Sequence, residues 1–349
     1  MKPSLRVALV GCGKITERLA LPQLRRCPGA EVTALVDIRR STANAIADKF
    51  GIARKRIWTD WRQMLREADV DVVAVNVPNA LHAEIAVAAL RVSKHVIVEK
   101  PIATTLADAD AMIAAARAHR RWLMVDQTQR FDPIHETAYE MLQRRSLGRI
   151  TQVRGRIGHA GPQYWAGTTR TWLTDHRRSG GGALMDVGIH IADLLRWLSG
   201  KQVKRICCQA MKRSKRMTVE ESASALLEFT DGTSGSFEAS WMTRPYEVTT
   251  AFYGERGTLR TAIGSAHPVA VQWCRQGDPN HQRGPTRYPR VPSSSRWGGA
   301  YPYFMGCIAK GRRPFISGEE ARASLEVILA AYESARTREW VDMPLRAGH

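Results

Sequence analysis

Nowhere in the 349 residues does an apolar run approach the roughly 18–20 residues of a membrane-spanning helix. The chain also lacks any C-x-x-C or H-x-x-x-H pair, so the usual zinc-ligand spacings are missing and no metal is expected. Its six cysteines, Cys12, Cys27, Cys207, Cys208, Cys274 and Cys307, read as free thiols, since a chain this long needs no disulfide framework. The short apolar run Leu5–Val10 leads directly into a motif and leaves no room for a cleavable signal, which points to a cytoplasmic protein. Acidic residues are scarce: 33 Asp and Glu face 52 Lys and Arg, a net charge of +19. Arginine outnumbers lysine 41 to 11. The basic residues are spread along the whole length, with small clusters at Lys212-Arg213-Ser214-Lys215-Arg216 and Arg177-Arg178. A nucleic-acid binder concentrates charge on one face and carries a reading element, and no such element is present. Solvated surface explains the charge; an anionic substrate, such as a phosphorylated or nucleotide-linked sugar, is the sharper alternative.

What is present is an alternation. Strand patterns at Arg6–Val10, Glu31–Val36, Val72–Val77, Val96–Glu99 and Leu123–Asp126 are separated by helical patterns at 15–26, 42–50, 61–67, 80–92 and 106–119. Short β-branched strands between helices imply βαβ units and a doubly wound parallel sheet with both faces covered. Beyond residue 126 the pattern changes to a helix over 133–143 and long strands near 150–157, 203–210, 222–229, 233–240, 248–253 and 258–262. Asp231-Gly232 marks a hairpin turn. These predict an open, mostly antiparallel sheet, with helices at 183–198 and 319–334 on one face. The 274–299 stretch, rich in Pro, Gly, Arg and Ser, reads as a long surface loop. Two domains follow: 1–126 for a dinucleotide and 127–349 for substrate binding and oligomerisation, its last helix able to pack back on the first.

Gly11-Cys12-Gly13 follows the first strand and opens a helix with Lys14 and Ile15. One glycine permits the tight turn and the other lets backbone approach a pyrophosphate at the helix N-terminus. The third glycine of this fingerprint is replaced by Thr16. Asp37, 21 residues further on, ends the second strand and is placed to contact ribose hydroxyls. Its charge repels a 2′-phosphate and favours NAD, although Arg39 and Arg40 can offset that and keep NADP open. Asn76-Val77-Pro78-Asn79 ends the next strand, where the nicotinamide side belongs; Asn79 reads equally as the N-cap of the following helix.

Glu99-Lys100-Pro101 follows a buried strand, so Lys100 stands at the carboxyl end of a parallel sheet, where open α/β sheets bind ligands. In Gly180–His190, Asp186 and His190 are four apart and share a helix face. Oxidising an alcohol moves a hydride from carbon and a proton from oxygen. Imidazole titrates near neutrality and suits the proton, a nearby carboxylate orients it, and a lysine stabilises developing alkoxide. Taken alone, Asp186 and His190 are equally a helix N-terminal acid and a core histidine; Lys100 in the cofactor domain favours the catalytic reading.

These segments, together with Arg130-Phe131-Asp132-Pro133, Gly254–Leu259 and the 318–344 stretch, resemble the Gfo/Idh/MocA oxidoreductases, named for glucose–fructose oxidoreductase and inositol dehydrogenase. The resemblance implies an N-terminal Rossmann domain, a C-terminal open sheet that mediates homodimer or homotetramer assembly, and hydride transfer between NAD(P) and a secondary alcohol of a sugar, cyclitol or related compound. It assigns catalysis to Lys100, Asp186 and His190 and implies a cis Lys100-Pro101 bond. Cofactor contacts are expected from Gly11, Cys12, Gly13, Lys14 and Ile15; from Asp37, Ile38 and Arg39; from Asn76, Pro78, Asn79 and His82; and from Glu99, Lys100 and Gln127. Arg130, Tyr164, Trp165, Arg170 and Trp172 are candidate substrate contacts, the last four equally readable as packing. Rival functions are a glycoside-cleaving relative with tightly held NAD and a non-catalytic cofactor-binding protein.

Overall fold

The computed structural model describes residues 4–163, 171–274 and 283–345. The chain divides into two compact units. One runs to Thr128 and is rejoined by Trp297–Ala323; the other comprises Gln129–Arg296 and the chain from Ser324.

In the first unit, β1 (Leu5–Val10), β2 (Ala30–Val36), β3 (Ile57–Trp58), β4 (Val72–Val75), β5 (His95–Glu99) and β6 (Leu123–Asp126) form one sheet in the order β3-β2-β1-β4-β5-β6. Every named pairing in it is parallel. β4 is Val-Val-Ala-Val with all four residues fully buried, as a strand covered on both faces requires. The order reverses between β1 and β4, which creates the crevice that doubly wound sheets use for ligands. β3 has only two residues, too few to leave a sequence pattern. Helices α1 (Leu21–Arg25), α2 (Arg40–Phe50), α3 (Trp61–Glu67), α4 (His82–Arg91) and α5 (Leu106–Ala118) make the crossovers.

The Trp297–Ala323 return departs from a boundary drawn once at residue 126. Val125 donates its N–H to Ile316 O (3.1 Å), and Met124 bridges Ser317 in antiparallel fashion. Arg322 pairs with Asp110 and Arg117 with Glu319. The free edge of β6 recruits this segment, because an unpaired strand edge leaves backbone groups unsatisfied. It carries a helix at Ala300–Ala309, whose continuous apolar sequence gave no amphipathic signal.

The second unit is built on a nine-stranded sheet: β7 (Ile150–Gly158), β8 (Val203–Met211), β9 (Ser222–Phe229), β10 (Ser234–Ser240), β11 (Glu247–Gly254), β12 (Gly257–Ala262), β13 (Val269–Cys274), β14 (Arg283–Arg287) and β15 (Val341–Asp342). The order is β14-β13-β12-β11-β7-β10-β9-β8-β15. Pairings are antiparallel except β10 with β7, which run parallel. β9 alternates: Ala223, Ala225, Leu227 and Phe229 are buried while Leu226 is 55% exposed. One face is therefore covered, by α6 (Pro133–Gln143), α7 (Ile189–Ser199) and the later turns of the Gly318–Thr337 helix. Ser334 of that helix accepts the Cys208 N–H at 2.9 Å. The expected 274–299 loop is corrected in part, since Arg283–Arg287 forms the edge strand β14. Pro285 lies within it, and an edge strand tolerates proline because one side needs no donors.

Candidate active site

The glycine turn is held by named contacts. Gly11 has φ +94°, and a Cβ there would lie 2.2 Å from Asn76 O, so no other residue fits. Its N–H donates to Val36 O at 2.8 Å. Thr16, fully buried, donates its hydroxyl to Gly11 O at 2.5 Å and accepts from Asn76 Nδ2 at 2.9 Å. The residue in the third-glycine position thus ties the turn to the end of β4. Asp37 accepts the N–H groups of Cys12 (3.0 Å) and Arg39 (2.9 Å). Burial, with Asp37 nearby, pushes the Cys12 thiol up to about 12, so it stays an inert thiol.

The residues present fit a dinucleotide. Nothing lies within 4 Å of where a Cβ of Gly13 would be, so its backbone is open to a pyrophosphate. Asp37 is only half-buried, and a carboxylate has about four acceptor positions, of which the two backbone donors use two. Ile38 is 88% exposed and Ile15 43%, apolar surface beside the carboxyl ends of β2 and β1 that suits a heterocyclic base. Lys14 is exposed.

Two expectations at the β4 end are corrected. His82 is fully buried, with Nδ1 2.8 Å from Pro101 O and Nε2 2.9 Å from Val77 O. Each ring nitrogen faces a main-chain carbonyl, so the buried His82 braces the Lys100-Pro101 segment and offers no face to a cofactor. Burial holds its pKa below the ordinary value. Asn79 does not cap α4; it is buried at the start of a 3₁₀ turn, Asn79–Leu81, and Leu81 holds the N-cap position without a side-chain bond. Pro78 precedes that turn.

The Lys100-Pro101 bond is cis. Lys100 is half-buried directly after β5, and its N–H donates to Glu99 Oε2 at 3.2 Å. Glu99 pairs in register with Asp126 at the ends of β5 and β6. Asp126 is fully buried, and neither carboxylate oxygen has a hydrogen-bond partner among the described residues. Burial, then the Glu99 charge, raises its pKa well above the carboxylate range. Gln127, buried, follows it, and Tyr301 is buried nearby with its hydroxyl 3.2 Å from Asn76 Oδ1.

In the second unit the Gly-rich motif is clasped from below. A Cβ on Gly181 would meet Tyr332 Oη at 2.0 Å, and one on Gly182 would meet Glu220 O at 1.9 Å. Glu220 accepts the N–H groups of Gly182 (3.0 Å) and Leu184 (2.8 Å) and the hydroxyl of Tyr332 (2.9 Å). The next turn, Leu184–Gly188, is a π-helical turn rather than the α-helical spacing expected between Asp186 and His190; such widened turns recur at functional sites. Asp186 Oδ2 accepts from Trp241 Nε1 at 3.0 Å and lies 3.5 Å from His159 Nε2. His159 Nδ1 accepts the Gly161 N–H at 2.9 Å, so in the neutral ring the proton sits on Nε2, facing the acid. His190 begins α7 beside Ile189 and is 8% exposed. His159, Trp241, Glu220 and Tyr332 escaped the sequence reading.

Arg130 is corrected as a substrate contact. Its side chain is 1% exposed and forms two bonds to Asp193, at 2.6 and 2.7 Å, so it has no face for a ligand. Trp172 is half-buried and opens a 3₁₀ turn, Trp172–Thr174. Tyr164, Trp165 and Arg170 lie outside the described residues. Among the described residues no group of three or more His, Cys, Asp or Glu is arranged for a metal ion, and no helix is long and apolar enough to cross a membrane.

A dinucleotide turn on a doubly wound sheet, a lysine at a strand end and a clasped acid–histidine turn on a second sheet define an NAD-dependent oxidoreductase. The chain belongs to the Gfo/Idh/MocA oxidoreductase family. The model of the oxidoreductase family's NAD-binding Rossmann fold matches residues 5–127, and that of the GFO/IDH/MocA C-terminal domain matches 135–260. The chain is 26% identical over 334 residues to a 1,5-anhydro-D-fructose reductase from Ensifer adhaerens, covering 95% of this chain and 96% of that one. It is 28% identical over 231 residues to an inositol 2-dehydrogenase from Salmonella typhimurium, 66% of this chain and 65% of the relative. Among solved structures, aldose-aldose oxidoreductase from Caulobacter crescentus, complexed with glycerol, superposes with TM-score 0.85 at 26% identity, covering 97% of this chain and all of that one.

Proposed function

We propose that this protein oxidises or reduces a secondary alcohol or ketone of a sugar or cyclitol, with Lys100, Asp186 and His190 as its catalytic residues. The relatives named for an anhydrofructose, an inositol and aldoses support the substrate class. Bound NAD supplies the hydride acceptor, or in reduced form the donor. Lys100 donates a hydrogen bond to the substrate oxygen and lowers the energy of alkoxide character. His190 accepts or returns the hydroxyl proton, a transfer typically worth about 10²–10⁴ in rate. Asp186, fixed by the Trp241 indole N–H, holds the local negative charge that favours an imidazolium.

The observation that carries the proposal is the placement of Lys100 immediately after β5, on the strand-end side that holds the Gly11–Gly13 turn. The test is a screen of aldoses, inositols, anhydro-sugars and sugar phosphates by absorbance of reduced nicotinamide, repeated with Lys100→Ala. The variant should keep NADH binding within about twofold and lose turnover by about 10²-fold or more; turnover near that of the parent protein refutes Lys100. A cytoplasmic setting is supported by six free thiols. Homo-oligomerisation is supported by the uncovered sheet face carrying Leu226, and light scattering reads it directly.

A further inference from the structure

We infer that Tyr301, arriving from far along the chain, is a positioning residue for NAD binding that acts on the dinucleotide turn through Asn76 and Thr16. The inference rests on that turn holding NAD.

The geometry is a continuous chain of hydrogen bonds. Tyr301 Oη donates to Asn76 Oδ1 at 3.2 Å. Asn76 Nδ2 donates to Thr16 Oγ1 at 2.9 Å. Thr16 Oγ1 donates to Gly11 O at 2.5 Å. Each member has its donor and acceptor atoms ordered in one direction, so the chain fixes the amide orientation of Asn76 and the rotor of Thr16. Thr16 and Tyr301 are 0% and 1% exposed, and Asn76 between them is half-buried. A second tie runs to the same place. Gln23 on α1 accepts the Tyr301 N–H at 3.1 Å through Oε1, and α1 follows directly from the helical turn that Thr16 opens. The helix Ala300–Ala309 therefore grips both the turn and the helix behind it.

The chain solves a problem created by Thr16. A glycine in that position lets helix and strand pack closely but holds nothing. The threonine hydroxyl instead clamps the Gly11 carbonyl, and it can do so only if Asn76 presents its N–H₂, which Tyr301 enforces by occupying Oδ1. Binding that needs a preformed turn weakens when the turn must be ordered on arrival of the ligand.

The experiment measures NADH affinity by nucleotide fluorescence on the full chain, with thermal melting in parallel. Tyr301→Phe and Thr16→Val each remove one hydroxyl and keep the volume. Each should weaken NADH by about three- to tenfold, the loosening expected from one hydrogen bond. Thr16→Ser keeps the hydroxyl and should restore affinity to near that of the parent. The Tyr301→Phe, Thr16→Val double variant should be less than additive, because both act on one chain. Unchanged affinity in both single variants, additive losses, or a Thr16→Ser variant as weak as Thr16→Val overturns the inference. Failure of the parent protein to bind NADH would instead overturn the cofactor reading on which it rests.

Discussion

Asp193→Asn tests whether Arg130 is a strut or a substrate ligand. The two side chains are each 1% exposed and meet through bonds of 2.6 and 2.7 Å. Ser324 donates to Asp193 Oδ1 at 2.9 Å and accepts from Arg196 at 2.8 Å. The Arg130 guanidinium also lies 5.4 Å from the Trp197 ring, which stacks on Tyr139 at 4.6 Å. Asparagine keeps the shape and removes the charge, leaving a buried guanidinium without its counter-ion. Breaking one side of such a pair costs about 3–5 kcal/mol, against a typical total of about 5–15 kcal/mol. Urea unfolding followed by tryptophan fluorescence reads the loss as a lower midpoint at constant slope. Replacing both partners together, Arg130→Met with Asp193→Leu, should recover most of it, because neither member of the pair is then left buried without the other. The reasoning fails if Asp193→Asn loses less than about 1 kcal/mol, well below the range for a buried pair. It fails equally if Arg130→Met leaves stability intact and raises only the substrate KM.

Three further outcomes rest on buried titratable groups and one close backbone contact. Asp126 has a folded pKa raised by burial and by Glu99, so the unfolded chain sheds its proton first and the penalty on the fold grows as pH rises above the ordinary carboxylate value of 3.8. Asp126→Asn should raise the melting temperature by an amount that increases from pH 4 to pH 7, and a flat difference refutes this. His95 shows the opposite sign: burial lowers it to about 4, so stability is lost as pH falls from 6.5 toward 4. His95→Asn, whose amide oxygen can still accept the Trp122 N–H, should flatten that slope in melting scans. Gly182→Ala forces a Cβ to 1.9 Å from a main-chain oxygen, so backbone must move; about 1–3 kcal/mol of stability and most turnover should go, with NADH binding retained. Full activity in that variant would show that the clasp does not position the acid and histidine.

How much of this was legible depended on whether the signal was local. β4 and β5 read as buried strands because Val72-Val73-Ala74-Val75 and Val96-Ile97-Val98 are apolar on both faces, and that pattern needs no partner to be seen. β14 contains Pro285 and Gly284 and, among the described residues, pairs with β13 alone, so an edge strand masqueraded as loop. Ala300–Ala309 is apolar almost all round and contains Pro302 and Gly306, which hid a helix whose partners Asn76 and Gln23 lie 225 and 278 residues upstream. The Asp231-Gly232 turn was visible, and Gly232 takes φ +83° where β9 meets β10.

The site divides in the same way. Gly11, Asp37 and Lys100 sit at strand ends that the sequence itself marks. His159 and Trp241 also follow strand ends, but of β7 and β10, and only a topology makes them neighbours of one acid. The parallel pairing of those two strands puts Gly158 opposite Ser240, so the next residue on each, His159 and Trp241, emerges on the same side. Had β7 and β10 been antiparallel, as the run of hairpins in this sheet invites one to assume, their last residues would lie at opposite ends and Asp186 could be held by one of them at most. A single parallel pair in a mostly antiparallel sheet is therefore what assembles the cradle for the acid, and no window of sequence shorter than 83 residues contains both of its members.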